Sequence, residues 1–140
     1  MKATLLPAVF AAALLAGCAA QTIKEARPYP QGTPYGPSLD IQVFRRTTEI
    51  EFTNTTARPF GASILWLNGR FARPVAGLEV GQHVVLPLRE FTDEYGESFR
   101  AGGFFATEAP DRLALAEIET VEPDGKTVML GLVVVGGEAP

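Results

Sequence analysis

The 140-residue chain holds one cysteine, one histidine, one tryptophan and two methionines. Each scarcity excludes something. With no cysteine after Cys18 no intrachain disulfide can form, so the fold must hold by packing alone. A lone histidine, His83, excludes a paired-histidine metal site. It also leaves no second candidate for a Ser–His–Asp or Cys–His arrangement. Its alternation with Val84 and Leu86 places it on an outward strand face. Basic residues are outnumbered 12 to 16, for a net charge of −4. That argues against nucleic acid as a partner and offers no polybasic surface to anionic lipid. Gly102-Gly103 lacks the frame of a phosphate-binding loop. Asp93-Glu94-Tyr95-Gly96-Glu97 lacks the alternate-Asp spacing of a calcium hand. No metal or cofactor is expected. A solvated carboxylate loop, partly paired with Arg89 and Arg100, is the plainer reading of residues 93–97.

What is present begins at the N-terminus. Lys2 precedes an apolar run, Leu5 to Ala16, shorter than the roughly 20 residues a membrane-spanning helix needs. It ends in Leu15-Ala16-Gly17-Cys18. This tetrapeptide behind that run resembles the lipobox of bacterial lipoproteins. The resemblance implies a signal peptide over 1–17, cleavage before Cys18, and acylation of Cys18 as the membrane anchor. Two or three acyl chains hold a protein stably where one does not, at about 0.8 kcal/mol per buried CH₂. Ala19, rather than Asp, implies the periplasmic face of the outer membrane in a diderm host. In a monoderm host the same signal implies the outer face of the plasma membrane.

Residues 18–38 carry Pro28, Pro30, Pro34 and Pro37 with Gly32 and Gly36. Proline fixes φ and removes donors, so neither helix nor central strand is expected. The segment reads as an extended spacer that holds the domain up to roughly 60 Å from the anchor at about 3.1 Å per residue.

From Leu39 to 137 the pattern is alternation of period two, the mark of half-buried strands. It is seen in Leu39/Ile41/Val43 and in Thr48/Ile50/Phe52; Ser63 to Leu67 reads as a short apolar strand and Val80 to Leu88 as a further one. Asn68-Gly69 is a two-residue hairpin signal leading into Arg70 to Arg73, with Pro74 expected to end that strand. Phe104 to Thr107 is a further short strand candidate. Arg112 to Val121 fits a helix capped by Asp111. It also fits a strand paired with 126–135 across Glu122-Pro123-Asp124-Gly125, and the valine-rich return favours the hairpin. About seven short strands with regular turns predict an all-β fold, a single antiparallel β-sandwich. The stretch IEFTNTTARPFGASILWLNG, with an apolar strand ending in Asn54-Thr55 and a following strand bearing Trp66, resembles immunoglobulin-like bacterial domains. That resemblance implies an immunoglobulin-like architecture without the paired cysteines. Trp66 is expected in the core, and the Asn54-Thr55-Thr56 sequon is read as chance.

No catalytic constellation emerges, so a non-enzymatic, monomeric envelope lipoprotein acting as a binding or accessory module is expected. The aromatic and charged loop over 89–105 is its candidate binding segment, through Arg89, Phe91, Tyr95, Phe99 and Arg100. Aromatic rings and arginines dominate binding hot spots, and long irregular loops in small domains are usually functional. Whether the rings face inward or outward is open at this stage. The alternative is a carbohydrate- or peptidoglycan-binding lipoprotein using the same loop. A small hydrolase using the 89–100 carboxylates is the remote one.

The lipobox gives the first prediction. Intact mass of membrane-extracted protein shows a chain beginning at Cys18 and carrying acyl groups, and a Cys18→Ala form stays uncleaved. An unmodified Cys18 thiol in the native protein contradicts it.

Overall fold

Apolar residues at every second position put one side of each strand against a common core, and the turns between them set the order. The computed structural model describes residues 26–138. The expected signal peptide 1–17, Cys18 and the first part of the 18–38 spacer lie outside the described residues. The strands are β1 (Gln42–Arg45), β2 (Glu49–Thr53), β3 (Ser63–Leu67), β4 (Phe71–Val75), β5 (His83–Pro87), β6 (Ala116–Val121) and β7 (Thr127–Val135), with one 3₁₀ turn at Leu88–Glu90. Among the described residues no helix is long and apolar enough to cross a membrane.

The strands form one hydrogen-bonded sheet in the order β4-β3-β6-β7-β1-β2-β5. All neighbours are antiparallel except β1 and β7, which run parallel from Gln42 opposite Val133 to Phe44 opposite Val135. The purely antiparallel expectation is therefore corrected to a mixed sheet. Nine-residue β7 takes β6 along Thr127–Leu132 and β1 along Val133–Val135. The sheet curls into a half-barrel. Val43, Ile50, Phe52 and Leu86 from its β1–β2–β5 half share one buried cluster with Leu65, Leu67, Ile118 and Leu130 from the other half.

Local signals explain the ends. Asn68 and Gly69 both adopt positive φ, 54° and 61°, the geometry of a two-residue hairpin turn that matches strand twist. Asn68 also accepts hydrogen bonds from the backbone of Ala114 and Leu115 through Oδ1. The hairpin thereby fixes the approach to β6. Pro74 does not end β4 but lies within it. β4 and β5 are the sheet's edges, where a missing N–H leaves no ladder bond unmade, and Pro74 and Pro87 blunt both edges against further pairing. Phe104 to Thr107 forms no strand, because Gly102 and Gly103 take φ of 83° and 109° and turn the chain away from the sheet. Asn54, fully buried, satisfies every polar group of its amide. Nδ2 donates to the carbonyls of Arg58 and Leu78, and Oδ1 accepts from the Thr56 backbone and hydroxyl.

The proline-rich segment departs most from expectation. Residues 34–39 continue β1 backwards along β7. Met129 N–H donates to Pro34, Gly36 N–H to Met129, and Leu39 N–H to Gly131. Pro34 enters the ladder as an acceptor and Pro37 falls between bonded residues, so the ladder forms in spite of them. Gly131 allows this close approach, since a Cβ there would stand 2.9 Å from Ser38 Oγ and that hydroxyl would have to turn away. From Arg27 onward the segment is a strap laid on the sheet rather than an extended spacer.

Candidate functional site

Within the 89–105 loop the rings divide. Phe91 and Phe99 are buried in the main cluster, Phe99 standing edge-on to Phe71 at 5.3 Å. They present no surface to a ligand, which corrects their place among the candidate binding residues. Backbone bonds between Thr92 and Ala72 in both directions lay this stretch against the edge of β4 and pull the two rings inward. Arg89, Tyr95 and Arg100 remain exposed, but Tyr95 and Arg100 line different clefts. The five candidates are therefore not one surface.

The carboxylates are committed to structure. Asp93 is buried and accepts two hydrogen bonds from Arg70, Nε at 3.0 Å and Nη2 at 2.7 Å, on one oxygen. Its other oxygen accepts the Tyr95 and Glu97 backbone N–H groups. Arg70 reaches Glu97 as well. The expected partners were Arg89 and Arg100. Arg100 instead closes on Asp111 at 2.6 Å, and Arg70 arrives from the β3–β4 hairpin, which sequence distance concealed. Burial pushes the Asp93 carboxyl up, but Arg70 and the Glu97 and Tyr95 backbone outweigh it and hold it below the usual value.

Beyond Arg100 the chain makes a clamped finger. Arg100 N–H and guanidinium bond the Asp111 carboxylate, and Asp111 N–H returns to the Arg100 carbonyl. From beneath, buried Arg45 donates to the carbonyls of Asp111 and Ala101. At the tip, Phe104 and Phe105 are 95% and 91% exposed. Their rings meet edge-to-face at 5.0 Å. Residues 101–107 (AGGFFAT) carry no charge.

A second arrangement lies on the outer face of the β3–β6–β7 half. Cross-strand partners share a face, so Trp66 opposite Glu117 and Ile64 opposite Glu119 form two rows there, extended by Ala72 and Met129. Trp66 is wholly buried, yet it belongs to a separate cluster with Ala72 and Met129, on the side away from the main core. The strap covers it. Tyr29 stands edge-on to the indole at 5.2 Å and donates its hydroxyl to Glu117 at 2.8 Å. The Arg27 guanidinium lies 5.5 Å above the indole centre and bonds both oxygens of Glu119. Trp66 Nε1 donates to the same carboxylate at 2.9 Å. Burial, Tyr35 and Glu117 together drive the Tyr29 hydroxyl far above its ordinary pKa, so it stays a proton donor. Sequence reasoning missed Arg27, Tyr29, Glu117 and Glu119. The one legible signal was the pair of outward-parity glutamates on a strand otherwise rich in apolar residues.

His83 is exposed, with Nδ1 3.1 Å from Thr53 Oγ1. Among the described residues no group of three His, Cys, Asp or Glu side chains is placed to hold a metal ion. Comparison with protein-family models, curated proteins and solved structures finds no match to this chain.

The Asp93 arrangement makes stability depend on pH. A carboxyl depressed in the folded state contributes stability above its unfolded pKa of about 3.9, and that contribution is lost as pH falls through the lower folded value. Asp93→Asn is therefore expected to have a lower urea midpoint than the unaltered protein at neutral pH, and the gap is expected to close under acid. A gap that stays constant across the acid range contradicts the assignment.

Proposed function

We propose that this chain is a lipid-anchored, non-enzymatic binding or accessory module of the bacterial envelope, engaging a protein partner through the Phe104–Phe105 finger. The observation that carries the reading is the exposure of two adjacent phenylalanines on a loop whose base is clamped by Arg100, Asp111 and Arg45. A large apolar tip on a fixed base is a preorganised contact. Burying both rings in a partner offers about 3–6 kcal/mol before association costs. Glu97, Glu108 and Asp111 at the base are matched by Arg70 and Arg100, both already paired. With these guanidiniums paired, the base gives an anionic lipid surface little attraction, which favours a protein cleft.

The anchor rests on the lipobox at Leu15 to Cys18, and Ala19 after it favours the periplasmic face of the outer membrane in a diderm host, or the outer face of the plasma membrane in a monoderm one. For the fold, the reading is an immunoglobulin-like sandwich, with the β1–β2–β5 half laid over the β4–β3–β6–β7 half. Support comes from the strand order and from the first strand pairing parallel to the last. The glycan-binding alternative is weaker, since Phe91 and Phe99 lie in the core and leave Tyr95 as the exposed ring of its candidate set. The hydrolase alternative needs a carboxylic acid with a raised pKa, whereas Asp93 is held ionised by Arg70.

A photo-crosslinking residue placed at Phe105 in living cells is expected to give a discrete protein adduct. The adduct disappears when Phe104 becomes serine. A Phe104→Ser/Phe105→Ser double variant is expected to melt within about 4 °C of the unaltered protein, since a shift of that size corresponds to roughly 1 kcal/mol in a domain this small. Adducts to lipid alone, or a larger stability loss, overturn the reading.

A further inference from the structure

The outer face around Trp66 poses a chemical problem that its own strands do not solve. Two carboxylates, Glu117 and Glu119, stand beside a buried indole, and Glu117 is only 3% exposed. Burying carboxylates is costly unless a cation and hydrogen-bond donors meet them. Among the described residues, donors from outside the sheet come from the strap, through the Arg27 guanidinium and the Tyr29 hydroxyl. The cradle therefore selects a guanidinium over the indole and a phenol two residues on.

The way the strap is held separates recognition from folding. Residues 34–39 are tied to β7 by backbone bonds, whereas residues 27–32 make none to the sheet among the described residues. A turn closed by Thr33 N–H on the Pro30 carbonyl lies between the two parts. Arg27-Pro28-Tyr29 is thus docked by side chains alone, in an extended proline-bearing segment against an aromatic surface. Peptide recognition by polyproline-binding grooves works in this mode. Its release would leave the β7 pairing intact.

We infer that this face is a peptide-binding site for an extended, proline-bearing segment of a partner protein that carries arginine two residues ahead of tyrosine. The chain's own Arg27-Pro28-Tyr29 occupies it as a resident competitor. The resident arginine shows how such a ligand sits, with its guanidinium over the indole and Nη2 donating to both oxygens of Glu119. The tethered strap acts at a high effective concentration, so a partner must displace it. The site is independent of the Phe104–Phe105 finger.

The test uses the full chain with Arg27→Ala/Tyr29→Ala, and with Arg27→Ala alone as the milder variant should the double one fail to melt cooperatively. The probe is a fluorescent peptide copying residues 26–35. The emptied cradle is expected to bind it saturably. Binding is expected to fall at least about threefold when Glu119→Gln is added, the scale of a broken half-buried charge pair. It is also expected to be more than about tenfold weaker on the unaltered protein, whose strap competes. A peptide with alanine in place of its arginine is expected not to bind. Absence of saturable binding to both emptied variants, or binding indifferent to Glu119, overturns the inference. So does an unaltered protein that sediments as a dimer exchanging its straps, because the occupant is then a second copy.

Discussion

A tryptophan that faces away from the core of a curled sheet has to be covered from outside, and most of what distinguishes this molecule follows from how Trp66 is covered. The sheet buries Leu65, Leu67 and Ile118 inside its curl. The alternation that sends them inward sends Trp66, Glu117 and Glu119 outward. An edge-to-face ring pair contributes about 0.5–1.5 kcal/mol beyond area burial. A guanidinium over an indole contributes a similar amount, about 0.5–2 kcal/mol. Together they make a short proline-rich stretch, which has little internal structure of its own, adhere to one place. Residues 34–39 then run alongside β7 on their own backbone bonds and lead directly into β1.

Much of the strand framework was legible. Period-two alternation placed β1 and β2 near their observed positions, the apolar run 63–67 marked β3 and Asn68-Gly69 its hairpin, and the valine-rich return favoured a strand over 112–121, of which Ala116–Val121 is one. Several misreadings share a physical origin, a partner distant in sequence. Proline composition at 27–38 said nothing about Trp66 and Glu119, about 40 and 90 positions away. The acidic turn at 93–97 gave no sign that Arg70 would meet it. The Gly102-Gly103 pair was the one local sign separating Phe104 and Phe105, which stay outside, from Phe91 and Phe99, which pack inward. Clamping by Arg100, Asp111 and Arg45 decided that difference, and it is a property of the folded chain.

The two surfaces differ in character. The finger is apolar, fixed at its base and uncovered, suited to a cleft on another protein. The Trp66 cradle is acidic and aromatic, and it is covered by the chain itself. If Cys18 is the anchor, docking of Arg27 holds the domain nine residues from the membrane attachment. Undocking would lengthen that reach by up to roughly 20 Å at about 3.1 Å per residue. The strap would then set how far the finger is presented as well as what the cradle accepts.

Trp66 is the sole tryptophan in the chain, so its fluorescence reports the central contact without labelling. Acrylamide quenching and emission wavelength, compared between the unaltered protein and Arg27→Ala/Tyr29→Ala, test the account most directly. The account predicts a blue-shifted, weakly quenched indole in the unaltered protein. In the variant it predicts a red-shifted, readily quenched one, with cooperative melting of the β domain retained. An indole freely quenched in the unaltered protein, or equally protected in the variant, would contradict it.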